Sequence, residues 1–138
     1  MIAHLLPTSM FQATSNNPFH LSVGAIVRDD AGLFVLFRKG AAHAFMTETV
    51  EARESVEDAV HRGLMEEMGA TATIQRYCGS STIQTTDHRG PWQKTVLWFE
   101  CTLGAMGGPS DIPDWEIVHL ESLDGVEIDQ GRWPLGLT

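Results

Sequence analysis

The stretch from Ser55 to Met68 is the clearest helix in the sequence, and the runs on either side of it read as strands. Val56, Val60, Leu64 and Met68 recur at every fourth position, which draws one apolar stripe along a helix. Ser55 followed by Asp58 resembles a capping box, in which side chains satisfy orphan backbone amides. Gly69, just past the end, suits a helix C-cap. Before the helix, Leu21 to Arg28 and Leu33 to Arg38 read as strands joined by an Asp29–Gly32 turn. Residues 39–54 show no period and read as a loop, long enough to suggest function. After the helix come strands over Thr73 to Cys78, Ser81 to Thr85 and Lys94 to Leu103, with a polar hairpin tip from Thr86 to Pro91. A Gly- and Pro-bearing loop, Ala105 to Pro113, leads to a last short strand, Glu116 to Leu120. Strands, a helix, then more strands predict an α+β chain or mixed-sheet sandwich.

The 138 residues suit a single domain over the whole chain, and no repeat or linker divides it. Residues 1–18 are expected to form an arm or first strand; they lack a positive leader and Pro7 breaks their apolar run, which argues against a signal peptide. Residues 124–138 read as an irregular tail. No apolar run reaches the length of a membrane span. Cys78 and Cys101 make neither a metal spacing nor a disulfide framework, which fits a reducing cytoplasm.

The net charge of −9 argues against binding a nucleic acid polymer, which requires cations to neutralise phosphates. It leaves room for a small phosphorylated substrate, because carboxylates hold divalent cations and those cations hold phosphate. The acids are concentrated: Glu48, Glu51, Glu54, Glu57, Asp58, Glu66 and Glu67 fall close together. On a helical wheel with Arg62 at zero, Glu66 lies near ~40° and Glu67 near ~140°. All three share one side of the helix. Two adjacent Glu partly facing a core are costly unless they meet a partner such as a hard cation.

From Glu48 to Ala70 the sequence reads E-x5-E-x7-R-G-L-M-E-E-M-G-A. This resembles the signature of the Nudix hydrolase family, G-x5-E-x7-R-E-U-x-E-E-x-G-U, with U a bulky aliphatic residue. Glu54, Arg62, Leu64, Glu66, Glu67 and Gly69 match in register, and Ala70 matches weakly. The likeness extends over about Phe19 to Leu123. It implies an α/β/α sandwich around a mixed sheet. It also implies hydrolysis of a nucleoside diphosphate linked to another moiety, with Mg²⁺ or Mn²⁺. Glu66 and Glu67 stand where the family places metal-binding carboxylates, and Arg62 stands at its arginine, expected to pair with Glu54 and fix the loop to the helix.

Two departures stand out. Glu48 replaces the opening glycine, with Met46-Thr47 where Pro-Gly is usual, and Gly63 replaces a glutamate that binds metal or acts as base. Glu48, Glu51, Glu100 and Asp111 are candidates to complete the metal site, Glu48 foremost because it is new where another carboxylate is lost. Three readings stay open: a hydrolase of reduced or altered metal use, a catalytically silent domain that binds a nucleotide or protein, and an α/β interaction module.

Arg38 ends the strand that leads into the long loop and is a candidate phosphate-binding residue; Phe45 is a candidate to stack on a base. Trp98 is assigned to the core, and His88, with Asp87 and Arg89, to the hairpin tip. The Walker-type, zincin and serine-hydrolase motifs do not occur. Family members commonly close with a helix, but Gly125, Gly131, Pro134 and Gly136 interrupt the tail, so that helix is expected to be reduced or absent. A second chain filling that layer predicts a homodimer.

Overall fold

The computed structural model describes residues 19–88, 90–107 and 114–128. Strand β1 (Phe19–Arg28) turns back on β2 (Phe34–Lys39), pairing Val27 with Val35 and Arg28 with Phe34. Asp29 makes that turn: its Oδ1 accepts hydrogen bonds from the amides of Ala31 and Leu33, both at 2.9 Å. Gly32 supplies the positive φ of 83°.

Beyond this point the hairpin splits. The rest of β2 pairs with β3 (Ala42–Ala44), while β1 pairs with β4 (Met46–Thr49). Residues 39–54, expected to be a loop, thus contain two strands. Each is too short to display an alternating pattern in the sequence. The other edge of β1 is filled by β6 (Gly90–Met106), parallel to it over the whole length from Phe19↔Gln93 to Arg28↔Thr102. The sheet is therefore mixed.

Helix α1 (Val56–Met68) and strand β5 (Ala70–Asp87) form the crossover that makes the parallel pair possible. Ser55 is the N-cap, its Oγ accepting from the Asp58 amide at 3.1 Å. Gly69 ends the helix at φ 61°, as its position suggested. The segment expected to form two strands around Cys78 and Ser81 is one strand, β5. Irregularities at Ala70/Ala72, Ile74/Arg76 and Tyr77/Gly79 let it continue past Gly79. Strand β7 (Glu116–Leu120) pairs with the other edge of β2, and β8 (Glu127–Ile128), not foreseen, lies parallel to β3.

The core has two parts, one on each face of the sheet. On one face Ala59, Val60, Leu64 and Met68 of α1 press on Val23, Ala25, Val27, Val35, Phe37, Met46, Phe99 and Cys101. On the other, Ile26, Phe34, Leu36, Phe45, Val96 and Trp98 are covered in part by Leu120, Leu123, Val126 and Ile128. Trp98 is seated because residue 24 is glycine: a Cβ there would lie 2.4 Å from the indole. Its Nε1 donates to Ser81 Oγ at 2.8 Å, so the buried indole is satisfied.

Among the described residues α1 is the only helix. Of the expected irregular tail, the part up to residue 128 holds a turn and β8; residues 129–138 and the arm 1–18 lie outside the described residues.

Candidate active site

Arg62, on the second turn of α1, gathers the acidic residues. Its Nε and Nη2 donate to Glu54 Oε2 and Oε1 at 3.1 and 2.7 Å, a bidentate pair. Nη2 also donates to the Thr49 carbonyl at 2.8 Å, which ties the end of β4 to the helix. Nη1 faces Glu66 Oε2 at 3.3 Å, Glu48 Oε1 at 3.5 Å and Glu51 Oε1 at 3.7 Å. Glu54 closes the loop from its own side, accepting from the Glu51 amide at 2.9 Å. Arg53, between them, holds a left-handed φ of 73°, an uncommon backbone for a non-glycine residue.

The electrostatics follow from this. The hydrogen bonds from Arg62 hold the Glu54 carboxyl below the usual carboxylate range, and the guanidinium is itself held more firmly protonated, chiefly by Glu54. Glu48 is half-buried on β4. Burial pushes its carboxyl up, against the pull of Arg62. Lys94 of β6 is half-buried, and burial pushes its ammonium down while the nearby Glu67 and Glu48 charges oppose the shift. Its Nζ donates to Thr47 Oγ1 at 3.4 Å.

The structure therefore brings Glu48, Glu51, Glu54 and Glu66 onto one guanidinium, with Glu67 in the next position of the helix, half-buried and within the field of Lys94. Other candidates sit elsewhere. Glu100 pairs with Arg76 at 3.1 Å across β5 and β6. Arg38, flanked by β3 and β7, pairs with Glu116 of β7 at 2.7 Å with both side chains open to solvent. Asp111 and Arg89 lie outside the described residues.

Phe45 requires a correction. It is buried in the core against Phe34 and Trp98, at centroid distances of 6.3 and 6.4 Å, and presents no ring face to a ligand. The short strands on either side of it turn the chain so that residue 45 points inward. Lys94 was missed, although a lone lysine opening the apolar run KTVLWFE was the signal available.

Gly63 is buried against β4. A Cβ on it would lie 2.7 Å from Met46 Sδ and 2.8 Å from Glu48 Cβ. Those strand residues occupy the room that a side chain at position 63 would need.

Two solved structures share this architecture. The MutT protein from Methanosarcina mazei Go1 aligns with a TM-score of 0.54 at 22% identity, over 75% of this chain and 77% of that one. The mMutator MutT protein from Bacillus halodurans aligns with a TM-score of 0.58 at 22% identity, over 72% of this chain and 67% of that one. Such identities speak to the fold alone. No curated protein matches the sequence. A family model, the NUDIX domain, matches residues 18–134. Its span takes in every described strand, α1 and the acidic stretch, and the chain belongs to the NUDIX domain family.

Proposed function

We propose that this chain hydrolyses the pyrophosphate bond of a nucleoside diphosphate linked to another moiety, with Mg²⁺ or Mn²⁺ held at Glu66 and Glu67. The observation that carries the reading is the Arg62–Glu54 pair, which fixes the 50–54 loop and β4 against α1. The donors suit a hard cation, because all are carboxylate oxygens. Among the described residues no three His, Cys, Asp or Glu side chains are close enough together to hold an ion, and Arg62 is the charge that collects them. A divalent cation, when bound, supplies positive charge to the phosphate oxygens.

The chain's own residues do the rest. Arg62 orients Glu66 from one turn away, Glu54 holds Arg62, and Lys94 adds a positive charge beside Glu67. Arg38, at the end of β2, is kept as a phosphate-binding candidate, which requires it to exchange Glu116 for substrate.

A second reading, binding without hydrolysis, is favoured by Gly63, which offers no carboxylate and has no room for one. The two free cysteines support a cytoplasmic setting. Among the described residues no helix is long and apolar enough to cross a membrane. The interrupted tail supports a homodimer; a monodisperse monomer in light scattering at micromolar concentration would count against it.

The test is an assay of the native protein, Glu66→Gln and Glu67→Gln on a panel of nucleoside diphosphate compounds with Mg²⁺ and then Mn²⁺. Mononucleotide release that falls by roughly 100-fold in either variant supports hydrolysis, since one lost charge-stabilising contact costs about that much. A native protein that binds a panel compound yet releases nothing supports the second reading.

A further inference from the structure

Two positions of the signature stretch are exchanged against the family pattern: Glu48 stands where the pattern has glycine, and Gly63 where it has glutamate. In the sequence these are separate departures, fifteen residues apart. In the fold they are one contact. Glu48 lies on β4 and Gly63 on α1, and a Cβ on Gly63 would lie 2.8 Å from the Cβ of Glu48. Two carbons cannot sit that close, so side chains at both positions require the strand or the helix to shift. Neither is free to do so. Strand β4 is held to β1 over Ser22↔Thr49 to Ala25↔Met46, and α1 is anchored by buried Val60 and Leu64.

We infer that the missing carboxylate of this site has been transposed across the helix–strand contact: Glu48 supplies from β4 what position 63 supplies from the helix in the family pattern. Its side chain starts beside the point from which a residue-63 side chain would start. Its Oε1 lies 3.5 Å from Arg62 Nη1, the same nitrogen that meets Glu66 Oε2 at 3.3 Å. The relocated carboxylate is thus gathered with Glu66 on one atom. Met46 Sδ would lie 2.7 Å from a Cβ on Gly63, but it belongs to the far end of a flexible side chain that can swing aside, whereas the Cβ of Glu48 is fixed to its strand. Gly63 is then the complement that makes room for Glu48, and a glutamate added at 63 without removing the one at 48 disrupts the site. This inference rests on the hydrolase reading above.

The experiment is Mn²⁺ titration by electron paramagnetic resonance, with thermal melting, on the native protein, Glu48→Gln, Gly63→Glu, Gly63→Ala and the exchange variant Glu48→Gly with Gly63→Glu. Glu48→Gln is expected to weaken Mn²⁺ binding by about tenfold or more, as loss of a ligand charge does, while the protein stays folded. Gly63→Glu and Gly63→Ala are expected to melt below the native protein, Ala testing the contact without charge. The exchange variant is expected to recover Mn²⁺ binding relative to Glu48→Gln and to melt above Gly63→Glu. Native affinity in Glu48→Gln overturns the inference, as does an exchange variant that fails to fold or binds no better than Glu48→Gln. Hydrolysis that depends on Glu66 alongside an indifferent Glu48→Gln would sink this inference and leave the hydrolase reading standing. A native protein that neither binds Mn²⁺ nor hydrolyses any compound would sink both.

Discussion

Glu54 accepts two hydrogen bonds from Arg62 and one from the Glu51 amide, so its carboxyl loses its proton more readily in the folded chain than in the unfolded one. A carboxyl lowered in this way stabilises the fold at pH values above its ordinary value of 4.5, and that stabilisation is lost as pH falls through the folded value. Thermal melts from pH 7 down to 3 should therefore show a fall in Tm on the acid side. Glu54→Gln should lower Tm at pH 7 by roughly 4 °C, from about 1 kcal/mol after allowance for partial exposure, and flatten the acid slope. An unchanged slope in that variant would remove Glu54 from the account. The Arg62–Glu54 pair was legible in the sequence because the spacing of the signature fixes both residues. Phe45 was misread because the pattern of a 3-residue and a 4-residue strand does not reveal which way the residue between them points. The consequence of Gly63 was half legible. The sequence shows a missing side chain, whereas only the packing of Met46 and Glu48 shows what fills its place.

At the scale of elements, α1 was readable end to end because both of its ends are chemically marked. Ser55 Oγ satisfies the Asp58 amide, and the Gly69 amide returns to the carbonyls of Leu64 and Met65 in a left-handed conformation. Ser55→Ala should cost about 1 kcal/mol, and Gly69→Ala about 1 to 2 kcal/mol because a Cβ is strained at that φ. The two sites are remote from each other, so the losses should add in urea titrations; a double variant no less stable than either single one would contradict this. The strands were harder to delimit. β5 carries Gly79 at φ 118° inside it, and a glycine at positive φ in a sequence ordinarily marks an end and not an irregularity within one strand. β8 has two residues and no pattern of its own; its parallel partner β3 determines it.

For the whole molecule, the alternation of strands and helix was sufficient to anticipate a mixed sheet, but not the split of the first hairpin that places Glu48 on a strand beside α1. That split depends on partners distant in sequence, which local preference does not encode. The parallel pairing of β1 with β6 has a consequence for how the chain acquires its structure. The first described strand pairs with one of the last long ones, Phe19 with Gln93 through Arg28 with Thr102. As the chain emerges from synthesis, that edge of β1 must wait, unpaired, until α1, β5 and β6 have followed. The β5–β6 hairpin pairs its strands locally and can form before it docks. Closure of β1 onto it is then the slow event, expected on the millisecond-to-second scale of chains dominated by distant contacts. Tryptophan fluorescence in stopped-flow refolding, compared between the native protein and Trp98→Phe, isolates that event, because Trp98 of β6 packs on Gly24 of β1 in the finished fold. A microsecond phase carrying the full amplitude would refute it. Until closure, β1 offers an exposed edge to other unfinished chains, so losses during expression should fall most heavily on variants that slow the docking of β6 and not on those that merely weaken the finished fold.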